Sequence, residues 1–120
     1  MTQGSETKSC LFCRIVRREI PATIIYESDD ILAFRDINPQ APVHVLILPK
    51  RHITSLNDVT PGDNELLGSI QNVARELARK EKVSGDGYRV VVNCGPNAGQ
   101  AVAHLHYHLL GGRKFTWPPG

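Results

Sequence analysis

Apolar positions along this chain follow two periods, and the switches between them mark its elements. After a polar start, Leu11, Phe12, Ile15 and Val16 fall at helical spacing between Cys10 and Arg18 and stop before Pro21, which predicts one short helix. Residues 23–27 and 31–36 are rich in β-branched and aromatic side chains. Ser28, Asp29 and Asp30 part them, so they predict a hairpin. The loop from Asn38 to Pro42 leads into residues 43–48, an apolar run closed by Pro49 that reads as a third strand buried on both faces. Thr60 suits an N-cap, Pro61 the first helical position, and Asp63 a carboxylate reaching back to the capped end. Leu66, Leu67, Ile70, Val73, Ala74 and Leu77 then share a helix face opposite Asn64, Gln71, Arg75 and Arg79, until Gly85 ends the pattern. Residues 88–93 and 104–110 predict two last strands. The order α, β, β, β, α, β, β with short links predicts an α+β domain: a mainly antiparallel five-stranded sheet with two helices.

Composition narrows the class. A chain of 120 residues, 41% hydrophobic, suits one core, with residues 1–9 as a flexible tail and 10–120 as a single domain. Fourteen basic against twelve acidic side chains give a formal charge of +2, which excludes the basic excess of a nucleic-acid polymer binder. No window approaches the roughly 20 apolar residues of a membrane span, and the polar start lacks a signal-peptide core, so the expected place is the cytoplasm. Three cysteines are too few and odd in number for a disulfide framework. Cys10 and Cys13 are left for metal or thiol chemistry, with the spacing of half a zinc site, and Cys94 reads as a plain strand residue.

The chemistry concentrates in the histidines, three of whose five fall within HLHYHLLGG. On a strand, His104, His106 and His108 share one face and Leu105, Tyr107 and Leu109 the other, with the imidazoles about 7 Å apart. Such a row can bind a metal, supply a nucleophile with its own proton partners, or line a hydrated edge. A catalytic zinc site usually works with a carboxylate base, and no Asp or Glu follows Asp86. Gly95, Gly99, Gly111 and Gly112 surround the histidines instead, where close backbone approach supplies N–H donors to a phosphate.

HLHYHLLGG, taken with EIPATIIYE, LAFRDINPQAP, VHVLILPKRHI, YRVVVNCG, NAGQ and the terminal WPPG, resembles the histidine triad (HIT) superfamily. Within it, the chain looks like the histidine triad nucleotide-binding branch, the nucleoside phosphoramidate hydrolases, from about Cys10 to its last residue. The resemblance implies a HIT-like fold and a homodimer whose sheets join into one of ten strands. It implies a purine mononucleotide such as AMP or GMP, attacked at its α-phosphate by His106. A main-chain carbonyl near His104 would fix the outer nitrogen of His106, His108 would contact phosphate oxygens, and His44 would join the proton network. Asp36 would accept the ribose hydroxyls, and Phe12, Ile15, Ile20, Phe34, Ile37 and Leu46 would surround the base. Asn93 and the amides of Gly99 and Ala101 would face the phosphate. Catalysis would need no cofactor. As in some microbial relatives, Cys10, Cys13, His52 and His104 would hold a structural zinc. Residues 113–120 would dock on the partner subunit, with Trp117 shaping its leaving-group pocket. Ala101 departs from the pattern, since close relatives carry a hydroxyl there, and reduced turnover is expected. Two other readings stand beside this one: a nucleotide-binding regulatory module with eroded catalysis, and a zinc-dependent hydrolase whose triad holds the metal.

Overall fold

The apolar run at residues 43–48 becomes the centre of the sheet. In the computed structural model, which describes residues 8–120, strand β3 (Val43–Pro49) pairs on both sides and is buried at six of its seven positions. The tail read over residues 1–9 lies outside the described residues up to residue 7. Helix α1 spans Leu11–Val16, β1 Ile24–Glu27, β2 Ile31–Arg35, α2 Asn64–Lys80, β4 Tyr88–Val92 and β5 Tyr107–Gly111. The strand order is β1-β2-β3-β5-β4, every neighbour antiparallel. Ser28 forms the expected hairpin turn, its Oγ accepting the amide of Ile31 at 3.1 Å.

Two cores follow from the strand alternation. Ile31, Ala33, Val45, Ile47, Leu105, Tyr107 and Leu109 face α2, which contributes Ile70, Val73, Ala74 and Leu77. Leu32, Phe34, Leu46 and Leu48 face the other way and are covered by Cys10, Phe12, Cys13 and Ile15 of the α1 segment. A sheet buried on both faces explains the unbroken apolar run.

Helix α2 departs from its sequence pattern at both ends. The Thr60–Asp63 box forms, the Thr60 amide donating to Asp63 Oδ2 at 2.9 Å, but this first turn is 3-10 and the α-helix begins at Asn64. The helix stops at Lys80, not near Gly85, because Lys82 takes a left-handed φ of 62° that turns Val83 back into the core. Val83 sits directly over Gly111, where an added Cβ would lie 2.8 Å from the valine Cβ.

The last strand corrects the simple picture of a histidine strand. Its ladder begins only at Tyr107, so His104 and His106 precede it. The amide of Leu105 is drawn out of line by the carbonyl of Ile53 at 2.6 Å. Alternation still holds: Leu105, Tyr107 and Leu109 enter the α2 core, while His104 and His106 pack against Phe12 on the α1 side. Off the regular ladder the rings converge, and His106 and His108 are 5.0 Å apart between centroids. No described helix is long and apolar enough to cross a membrane.

Candidate active site and metal-ligand cluster

Backbone partners set the tautomers of three buried imidazoles, His44, His104 and His106. His106 Nδ1 lies 2.7 Å from the carbonyl of His104, and a carbonyl only accepts, so the proton is on Nδ1 and Nε2 carries the lone pair. The Gln40 amide donates to His44 Nδ1 at 3.0 Å, which puts the His44 proton on Nε2. That proton faces His108 Nδ1 at 2.9 Å and Asp36 Oδ2 at 3.4 Å. His108 therefore accepts at Nδ1 and keeps its own proton on Nε2. Two adjacent rings result, one presenting a bare nitrogen and the other an N–H.

Burial keeps the set neutral. It lowers His44 and His106 below the ordinary histidine value, against a weaker upward pull from Asp36 on His44 and from the His104 carbonyl and then Asp36 on His106. His108 is lowered to about 4 by burial first and then by His106 and His44. At neutral pH His106 is thus uncharged, with a lone pair on Nε2 of the kind that can serve as a nucleophile.

The remaining expected nucleotide contacts are placed unevenly. Phe12, Ile15, Phe34 and Leu46 are buried together, and Ile20 packs against them half-buried. Ile37 stands apart, 98% exposed on the loop after β2. Asp36 is half-buried, with Oδ1 already accepting the Asn38 amide at 2.8 Å and its second lone pairs free for further donors. Asn93, just after β4, is half-buried, and Ala101 is exposed. The Gly99 amide closes the 3-10 turn onto the Pro96 carbonyl at 3.1 Å, so it is committed within the loop instead of open to a phosphate. Sequence reasoning missed Gln100, which organises this loop. Its Oε1 accepts the Gly95 amide at 3.0 Å, and its Nε2 donates to the carbonyls of Thr54 and Val102 at 2.8 and 3.0 Å. The only signal was a side chain with both donor and acceptor among glycines. Trp117 is 82% exposed.

On the other side of His104 lies a second cluster. Cys10, Cys13, His52 and His104 are all buried, and one ligand atom from each lies within 4.8 Å of the others. Cys10 Sγ is 3.3 Å from His104 Nδ1, and Cys13 Sγ is 3.2 Å from His52 Nδ1 and 3.5 Å from His104 Nδ1. Sulfur and nitrogen ligands on a tetrahedral zinc are separated by about 3.6 Å, so these spacings fit that ion closely. His104 Nε2 donates to the Pro49 carbonyl at 2.8 Å, which turns the Nδ1 lone pair toward the sulfurs in the manner of a metal ligand oriented from behind. Burial, with Cys10 beside it, pushes the Cys13 thiol up to about 12, a position that a bound cation would reverse. Asp36, His44 and His108 also converge, but the Gln40 amide keeps a proton on the His44 nitrogen that a metal would need.

An antiparallel α+β sheet with buried imidazoles aligned at its centre, one with a free nitrogen, defines a histidine triad protein. Residues 17–115 match the HIT domain family, and the chain belongs to it. It is 54% identical over 110 residues to an uncharacterized HIT-like protein of Synechocystis, covering 92% of this chain and 96% of that one. It is 50% identical over 112 residues to a 14 kDa zinc-binding protein of Zea mays, covering 92% and 87%. Among solved structures, a HIT family hydrolase from Legionella pneumophila superposes with a TM-score of 0.92 at 56% identity, covering 93% of this chain and all of that one. A histidine triad nucleotide-binding protein from Candida albicans superposes with a TM-score of 0.79 at 34% identity, covering 92% and 83%.

The lowered imidazoles make stability depend on pH with a definite sign. As pH falls below the ordinary histidine value of 6.5 toward the folded value of about 4 for His108, the unfolded chain binds protons first and the native state loses stability. Nuclear magnetic resonance titration is expected to show His44, His106 and His108 each titrating below the ordinary histidine value, and chemical denaturation to show a less stable protein at pH 5 than at pH 7.

Proposed function

We propose that this protein hydrolyses the P–N bond of purine nucleoside phosphoramidates through a nucleotidyl-His106 intermediate. The observation that carries the reading is the bare Nε2 of His106, fixed by the 2.7 Å bond to the His104 carbonyl and set beside the N–H of His108. The hydrolase from Legionella and the nucleotide-binding protein from Candida support the same class of chemistry. His106 Nε2 attacks the α-phosphorus, the P–N bond breaks, and the amine takes up a proton from solvent and leaves. Water then attacks phosphorus, giving up a proton to solvent, the P–Nε2 bond breaks to leave His106 neutral, and the nucleoside monophosphate departs with the water oxygen. His108 Nε2–H donates to the phosphate oxygens as charge builds on them, joined by Asn93 and the Ala101 amide. Asp36 takes the ribose hydroxyls, and Phe12, Ile15, Ile20, Phe34, Leu46 and the exposed Ile37 enclose the purine of AMP or GMP.

The same reading has the protein working in the cytoplasm as a homodimer. The edge strand β4, with Tyr88 and Val90 exposed, offers the pairing surface for a joined sheet. Residues 113–120 reach the partner, where Trp117 borders the leaving group. Cys10, Cys13, His52 and His104 would hold a zinc ion whose part is to pin the α1 segment to the sheet. A metal held by the triad itself is disfavoured, since His104 Nδ1 is turned toward the cysteines.

Incubation with an adenosine phosphoramidate and rapid acid-free quenching is expected to trap one AMP-sized mass increase on His106, with turnover abolished in His106→Gly. Turnover without any adduct would overturn the mechanism. Metal analysis of protein purified without chelator is expected to give close to one zinc per chain, and Cys13→Ser to lose it. Ala101→Ser should raise turnover by about 10-fold, the value of one restored hydrogen bond to the leaving amine. If AMP binds tightly to the parent protein and neither form turns over, the regulatory-module reading replaces catalysis.

A further inference from the structure

The hydrogen bonds around His44 continue outward to the surface. Gln40, whose amide holds His44 Nδ1, accepts at its own carbonyl from Arg113 Nε at 3.0 Å. Arg113 leaves the end of β5 and is itself held from behind. Its guanidinium lies 4.3 Å from the centre of the Phe115 ring, and that of Arg89 lies 5.1 Å from the same ring. Arg113 also donates to the Lys114 carbonyl and Arg89 to the Thr116 carbonyl, at 3.0 and 2.9 Å. The loop carrying Gln40 presses on the turn that carries Arg113 without room between them. Gly112 has a φ of 90°, and a Cβ there would lie 2.9 Å from the Pro42 Cβ.

We propose that Arg113 is a positioning residue: through Gln40 it keeps the His44 proton on Nε2 and hence the outward N–H on His108, with Phe115 making the C-terminal segment the lever that sets it. The catalytic part of this proposal rests on the phosphoramidate reading, while the tautomer part does not. Without Arg113 the Gln40–Ala41 carbonyl is released, the Gln40 N–H on the other side of the same Cα loses its fixed aim, and the His44 proton can pass to Nδ1. A bare His44 Nε2 would then face His108 Nδ1 across 2.9 Å and the Asp36 carboxylate across 3.4 Å. Two lone pairs at that distance repel, so His108 takes its proton on Nδ1 and turns an acceptor toward the phosphate oxygens. A donor aimed at developing charge is thereby lost, which lowers kcat more than it raises KM.

The test uses full-length, metal-replete protein with nitrogen-15-labelled imidazoles. Parent and Arg113→Lys, which keeps a donor for the Gln40 carbonyl, should both show the Nε2–H tautomer at His44 and His108. Arg113→Met, of similar length without a donor, should show a mixed His44 tautomer. Its kcat should be about 10-fold lower, with KM for an adenosine phosphoramidate within about threefold of the parent. Phe115→Ala, which leaves Arg113 in place and removes its support, should fall between and serves if Arg113→Met does not fold. An unchanged His44 tautomer in Arg113→Met, or Lys and Met variants that behave alike, would overturn the proposal. A parent that turns over no phosphoramidate would sink the reaction while the tautomer measurement still decides the role of Arg113.

Discussion

A buried imidazole needs a partner for each nitrogen that water cannot reach, and this molecule buries four such rings. His44, His52, His104 and His106 are each at most 9% exposed, and among the described residues no buried side-chain nitrogen or oxygen lacks a partner. Leaving one such group unpaired costs on the order of 1–3 kcal/mol. Backbone groups meet most of this need: the Gln40 amide for His44, the Pro49 carbonyl for His104 and the His104 carbonyl for His106. Because a backbone amide only donates and a carbonyl only accepts, satisfying the bonds also settles where each proton sits.

Proton placement is what separates the two chemistries that share His104. Its ring, with a carbonyl behind Nε2, offers Nδ1 to two cysteines. Its main chain offers a carbonyl to His106. One residue therefore joins the cysteine–histidine cluster by its side chain and fixes the His106 proton by its backbone. Phe12 sits at the same junction, between Cys10 and Cys13 in sequence and edge-on to His106 at 4.9 Å in space. The α1 segment is short, but its cysteines and phenylalanine touch both sites, so its seating on the sheet matters beyond the area it buries.

Much of this was legible beforehand. The five strands, both helices and their order follow from apolar periodicity, because a sheet covered on two faces needs a continuous apolar strand at its centre and helices with one apolar face. The histidine pattern and the Cys10–Cys13 spacing pointed to residues that the fold does bring together, because ligand and nucleophile types are few. The early end of α2 at Lys80 was not legible, since the left-handed Lys82 answers to Val83 packing over Gly111, a contact 28 residues away in the chain. Nor was the late start of β5. The bond from Leu105 to Ile53 competes with the ladder, and neither residue announces it. Ile37 likewise looked like its apolar neighbours and lies exposed.

By itself the sequence determined which residue types were available and on which face of each element they would fall, because periods of 2 and 3.6 are local properties of the backbone. Tertiary structure decided what each histidine is. His104 and His106 are two residues apart and chemically identical, yet one faces sulfur and the other keeps a free nitrogen. The Pro49 carbonyl stands behind the ring of His104, the main chain of His104 supplies the carbonyl behind His106, and the Gln40 loop acts through His44 on the neighbouring His108. Only the His106 bond is local; the tautomers of His44, His104 and His108 are set by partners distant in the chain, which no pattern along a single strand encodes.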